Sequence, residues 1–86
     1  MRQEPEFFED PELDLIFMAR RLRDALKLEG LLTDAGLDYL VETGTYTGGL
    51  LFKRDLTGAF FYVSPADAEK ARGVLLQNQM KPYSGD

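Results

Sequence analysis

A two-layer α+β sandwich is the fold this sequence predicts, and three observations point to it. Hydrophobic spacing alternates along the chain between the period of two that suits strands and the three-to-four that suits helices. The resulting order is strand, helix, strand, strand, helix, an α+β order in which helices cover one face of an antiparallel sheet. The 86-residue length allows one domain and no more, and 44% apolar residues suffice for a real but thin core.

Residues 1–11 read as an acidic leader with little structure: polar, with Pro5 and Pro11, and with the pair Phe7-Phe8 suited to docking on the body or on another subunit. Two readings compete for residues 12–20. Leu13, Leu15 and Phe17 alternate with Ile16 and Met18 as in a strand buried on both sides. Against this, Asp10-Pro11-Glu12 is a good helix opening, and Leu15, Met18, Leu22 and Leu26 would continue a helical stripe. The strand over 12–18 is preferred. Residues 22–35 form the more secure helix, with Ala25, Leu28, Leu31, Leu32 and Ala35 on one face and Arg23, Lys27 and Asp34 opposite. Gly36 ends it as a left-handed C′ residue, while Gly30 inside it is a mild defect that suggests close packing.

Leu37–Glu42 reads as a strand, followed by the turn-rich stretch Thr43–Gly49. Residues 50–54 are either the return arm of a long hairpin or an ordered loop. Ala59–Val63 has the highest β-propensity in the chain. Ser64-Pro65-Ala66-Asp67 opens the last helix, with a serine N-cap, proline at N1 and an acid at N3 reaching back to the cap. That helix runs to about Gln79, with Ala68, Ala71, Val74 and Leu75 facing the core.

The βαββα order matches the ferredoxin-like arrangement without its final strand. The chain ends where a fourth strand would come, and Lys81-Pro82-Tyr83-Ser84 is a poor candidate for it. A three-stranded, mainly antiparallel sheet follows, with the first strand as an apolar open edge that a second copy would cover most simply. The expected organisation is thus a leader, 1–11, and a single α+β domain, 12–83.

Composition narrows the chemistry. With no Cys and no His, thiolate or imidazole metal sites, disulfides and Ser-His-Asp or Cys-His catalysis are excluded. No apolar run reaches membrane-spanning length and the acidic start is unlike a secretory signal, so a cytoplasmic location is expected by default. The net charge of −5 is concentrated in residues 1–14, where Glu4, Glu6, Glu9, Asp10, Glu12 and Asp14 face Arg2 alone. The rest of the chain balances nine acids with nine bases, without the basic excess of a nucleic-acid binder.

From Leu13 to about Tyr83 the chain resembles a family of small bacterial proteins of unknown function that carry a signal-transducing label. The resemblance rests on Ala25 to Leu37, the strand through Val41, and Phe60 to Ala71. These are fold-determining positions, and the fold is similar to that of the PII-like nitrogen regulators. The resemblance implies a PII-like βαββ(α) domain used for binding or regulation, with partner contacts on the loop between the second and third strands, here residues 43–57. Lys53 and Arg54 there do not reproduce the basic residues and motif that would license carrying a nucleotide site across, so no cofactor is expected.

Two sets of residues stand out as contacts. In the 43–57 loop, Tyr46 and Phe52 suit a partner-binding arm, and Gly48 and Gly49 with Lys53 and Arg54 offer backbone amides and charge to an anion. No Gly-Lys-Ser/Thr ending supports a P-loop, and a plain hairpin connector is the preferred reading of the glycines. The second set, Arg20, Arg21, Arg23 and Lys27, reads as a solvated helix face or as the receptor for the acidic leader of the same or a neighbouring chain. Paired carboxylates are the only catalytic option left, such as Asp34 with Asp38 or Glu29 with Asp55, but their spacing does not fix them in one cleft, and solvated surface acids are the preferred reading. The expectation is therefore a non-enzymatic binding or regulatory domain, homo-oligomeric through the first-strand edge, without nucleic-acid or membrane partners. The alternative is a small-molecule sensor or rudimentary enzyme with its ligand between the sheet and the 43–57 loop.

Overall fold

The computed structural model describes residues 1–8, 12–48 and 54–83, with the side chains of 45–48 and 54–57 outside that description. The architecture is α+β: a three-stranded antiparallel sheet and two helices. Strand β1 is Asp14–Ala19, β2 is Leu40–Gly48 and β3 is Arg54–Val63; helix α1 is Leu22–Asp34 and α2 is Ala68–Gln77. Sheet order is β1-β3-β2, with β3 antiparallel to both neighbours, so β1 and β2 run parallel with β3 between them.

β1 is a strand, as preferred over a helix, and its register holds a bulge. Leu15 faces Tyr62 and Phe17 faces Phe61, so Ile16 is the extra residue. A bulge opposes two residues to one and bends the strand. Here Ile16 is fully buried and Phe17 packs against the same core.

One cluster joins the sheet to both helices. Ile16, Ala19, Phe61 and Val63 meet Leu28 and Leu32 of α1 and Ala68, Ala71 and Leu75 of α2. Fully burying each large side chain is worth roughly 1.5–3 kcal/mol, so the six wholly enclosed ones, from Phe61 to Val63, dominate stability. The sheet's other face carries Leu15, Met18, Leu40, Phe60 and Tyr62 by register. Leu40 and Phe60 are buried there without belonging to the main cluster.

α1 ends as its sequence predicts. Ala35 is the C-cap, Gly36 takes φ 75°, Gly36 N–H donates to Thr33 O at 3.0 Å and Leu37 N–H to Leu32 O at 2.9 Å. That is the Schellman pattern, with Leu32 and Leu37 both in the core beside it. Gly30 is exposed with no atom within 4 Å of a built Cβ, so the close packing suggested for it is absent.

α2 departs from expectation at both ends. Pro65 does open the turn, but Pro65–Asp67 is 3₁₀ and Ser64 makes no side-chain cap; the backbone bond Asp67 N–H to Ser64 O, 2.9 Å, closes it instead. The helix stops at Gln77, two residues early, because Gln79 enters the left-handed region at φ 58°. Gln79 N–H to Leu76 O and Met80 N–H to Leu75 O repeat the Schellman closure without a glycine.

The largest correction concerns residues 43–57. Thr43–Gly49 was expected as a turn-rich stretch, yet β2 runs through Gly48; of the two readings kept for residues 50–54, Arg54 takes the hairpin's return arm, since β3 begins there. Conversely, Leu37–Tyr39 precede β2. The leader is also more ordered than expected. Met1–Gln3 lie along the start of β2 as a short parallel pairing, with Gln3 N–H to Tyr39 O at 2.8 Å and Tyr39 N–H to Met1 O at 3.2 Å. Pro5–Phe7 then form a 3₁₀ turn, and the Phe7 and Phe8 rings meet edge to face at 5.2 Å.

At the opposite edge Tyr83 N–H donates to Ile16 O at 2.7 Å. The tail dismissed as a fourth strand thus places one bond where that strand would begin. No helix among the described residues is long and apolar enough to cross a membrane.

Candidate functional site

The register defines a projecting ribbon. β1's last pair with β3 is Ala19 with Ala59. β2 and β3 continue beyond it through Gly44–Gly58, Thr45–Thr57, Tyr46–Leu56, Thr47–Asp55 and Gly48–Arg54. At about 3.4 Å per residue this carries the ribbon roughly 17 Å past the three-stranded body. Two strands alone are marginal in water, and no third strand among the described residues pairs with this part of the ribbon.

The base of the ribbon is tight. A Cβ at Gly58 would overlap the Ala19 carbonyl oxygen and lie 3.2 Å from Ala19 C and 3.5 Å from Arg20 Cα. Glycine is required there because β1 turns into α1 against the ribbon's first residue. That contact brings the two predicted sets of residues to one end of the molecule: Arg20 and Arg21 begin where the ribbon leaves. Tyr46, Gly48 and Arg54 lie in the ribbon's strands, whereas Gly49, Phe52 and Lys53 lie outside the described residues.

Arg20, Arg21, Arg23 and Lys27 are all exposed, and no ion pair among the described residues uses them. Arg21 is the N-cap of α1 and offers no side-chain cap. An arginine there both forgoes the usual cap and sets positive charge at the positive end of the helix dipole. Leu22 and Leu26, one turn apart, stand beside these cations at 75% and 57% exposure. Sequence reasoning set the core stripe of this helix at Ala25, Leu28 and Leu32 and did not mark the two leucines off that stripe as a surface. The mixed apolar and basic patch was legible in that phase difference.

The leader does not reach this patch among the described residues. Met1–Gln3 sit by Tyr39, at the end of the sheet where β1 and β2 begin, whereas Arg20 follows the end of β1. Glu9 and Asp10, part of the acidic run, lie outside the described residues. What the leader brings to the body is positive charge. The terminal ammonium donates to Leu37 O and lies 3.6 Å from Asp38, and Arg2 lies 3.7 Å from Glu29. Gln3 Nε2 donates to Asp38 Oδ1 at 3.3 Å. Two of the carboxylates considered for acid–base work, Asp38 and Glu29, are thereby held by the chain's own first residues.

The tyrosines divide between roles. Tyr39 is buried, stacks on Phe61 at 5.9 Å, and donates from its hydroxyl to Glu29 O at 3.3 Å, with Thr33 Oγ1 3.4 Å away. It is packing material with a satisfied polar tip. Tyr62, on the helix-free face, has its hydroxyl pKa raised above 10.0, first by burial and then by the Glu42 carboxylate. A phenol held neutral is a hydrogen-bond donor and no base at ordinary pH. Among the described residues no group of acids is arranged to hold a metal ion. No family model matches the chain, and neither a curated protein nor a solved structure is significantly similar to it.

Proposed function

We propose that this protein is a non-enzymatic binding or regulatory domain, of a signal-transducing kind, that acts as a homo-oligomer and engages its partner through the β2–β3 ribbon. The ribbon's reach past the last β1 pair carries this reading. Among the described residues no third strand pairs with this arm, and a two-stranded arm gains stability from a partner laid against it. The exposed Leu22 and Leu26 with their flanking cations extend the same end into a surface suited to an apolar partner with acidic groups.

The frame that fits is a ferredoxin-like, PII-like sandwich lacking a full fourth strand. In its favour are a β3 inserted between two parallel strands, an α1 that links those strands, and two helices sharing one core. A second copy docking on β1, the edge first expected to pair, would displace Tyr83 N–H from Ile16 O.

Multi-angle light scattering over a wide concentration range, on the wild type and on the Tyr46→Ser, Phe52→Ser double variant, tests the reading. The wild type is expected to associate and the variant to associate at least about tenfold more weakly, a difference of 1.4 kcal/mol. A wild type that stays monomeric throughout refutes the homo-oligomer.

A further inference from the structure

We infer that the outer edge of β2 is a self-pairing surface whose occupant is β2 of a second copy of this chain, antiparallel and centred on Thr45. The inference rests on the homo-oligomer reading and names its surface.

The two edges of the sheet are finished differently. β1 has a bulge at Ile16 and the Tyr83 bond on that residue's carbonyl. Among the described residues β2 is covered at its start, by Met1–Gln3 against Tyr39. That pairing ends because Pro5 has no N–H and the Pro5–Phe7 turn leads the chain away. Past Tyr39 no strand among the described residues flanks β2 on its outer side.

The direction of the free backbone groups follows from the same contacts. Tyr39 turns both its N–H and its C=O outward, to Met1 and Gln3. The register with β3 then runs from Leu40 to Gly48 without a shift. Because the direction alternates along a strand, Val41, Thr43, Thr45 and Thr47 also turn their backbone groups outward, while Leu40, Glu42, Gly44 and Tyr46 spend theirs on β3. This outward row lacks the lysines, prolines and bulges with which natural edges are blunted.

The sequence of β2 is self-complementary about Thr45. A two-fold axis there sets Thr45 against Thr45 and Thr43 against Thr47, so residues with outward backbone groups meet each other and can exchange both bonds. Glu42, the strand's one charge, falls opposite Gly48 of the second copy and not opposite another carboxylate. Tyr46 falls opposite Gly44 of the second copy, in the close, non-bonded type of pair. Within one chain Gly44 faces Gly58, a pair without side chains. An aromatic residue placed across from a strand glycine is a recognised way to mend that weakness. The contact is isologous, so it closes as a dimer with one continuous sheet and does not propagate into a filament.

The chain has no cysteine, which permits a direct test on the full-length protein. Thr45→Cys sets two thiols on the axis at a Cα separation of about 5.5 Å, within disulfide range. Glu42→Cys sets them about 20 Å apart along the strands. Thr45→Pro removes an outward donor while leaving the ladder to β3 intact. Under mild oxidation Thr45→Cys is expected to give a covalent dimer at least about tenfold faster than Glu42→Cys, and Thr45→Pro to raise the dimer dissociation constant at least about tenfold. An associating wild type whose Thr45→Cys variant cross-links no faster than Glu42→Cys overturns β2 pairing and leaves the homo-oligomer standing. A wild type that is monomeric by light scattering overturns both.

Discussion

Substituting Gly58 by alanine probes how closely the ribbon is seated on the body. The new methyl would overlap the Ala19 carbonyl oxygen and press on Ala19 C at 3.2 Å, with Arg20 Cα in ordinary contact at 3.5 Å. All three are backbone atoms, so no rotamer change relieves the overlap. Either β1 retreats and surrenders its last pair, Ala19 with Ala59, or β3 tilts. Forcing an extra methyl into such a site costs about 1–3 kcal/mol. Restricting the unfolded chain returns about 0.4–1 kcal/mol, because Gly58 is not in the left-handed region. The overlap therefore wins, with a net loss of about 1–2 kcal/mol. Urea denaturation followed by circular dichroism, at one fixed protein concentration, reads this as a lower midpoint with unchanged slope. On heating, each kcal/mol corresponds to about 4–8 °C in a domain of this size. Gly30→Ala is the control: exposed, in a helix interior and with nothing near its Cβ, it should gain about 1 kcal/mol. A Gly58→Ala protein as stable as the wild type would show that β1 and the ribbon are not in contact as described.

Further expectations concern the helix ends and one tyrosine. Arg21→Asp should stabilise α1 by about 1 kcal/mol, by supplying the missing cap and relieving the dipole, while weakening any partner that reads the cationic patch; thermal melts and a binding assay separate the two. Gly36→Ala should lose about 1 kcal/mol through its positive φ, whereas Gln79→Gly should gain up to about 1 kcal/mol for the same reason with the sign reversed, both measured by urea titration. Near-ultraviolet titration should find a tyrosine ionising above 10.0, and Glu42→Gln should bring Tyr62 part of the way back. The folded state holds this proton more tightly than the unfolded one. Its contribution to stability is thus complete below 10.0 and is lost as pH rises from there through the raised folded value.

Features carried by local chemistry were legible in the sequence. The α1 stripe and its Gly36 stop, the strand character of residues 14–18 and the proline-led turn at Ser64-Pro65 each depend on neighbours within a few residues. What the sequence obscured depends on distant partners. Thr43–Gly48 reads as a turn because it is rich in glycine, yet threonine and tyrosine favour a pleated strand once β3 is alongside. Met1–Gln3 pair through the backbone alone, for which no side-chain pattern exists. The bulge at Ile16 likewise emerges only from the register with β3. At the site, the arginines were recognisable as a group, but their adjacency to the ribbon rests on Gly58 meeting Ala19, residues 39 positions apart in the chain.

One feature sets how the molecule would carry a load. β3 is unbroken from Arg54 to Val63, with its first half in the ribbon and its second in the core, where Phe61 and Val63 are fully enclosed. A pull along the ribbon's long axis therefore acts along the strand, so the hydrogen bonds to β1 and β2 share the strain in shear and do not open one after another. A sideways push levers about Gly58 and reaches the Ala19–Ala59 pair first. A partner gripping the ribbon would thus transmit axial force stiffly into the core and lateral force softly into the β1–α1 corner, which makes direction a variable the molecule can report.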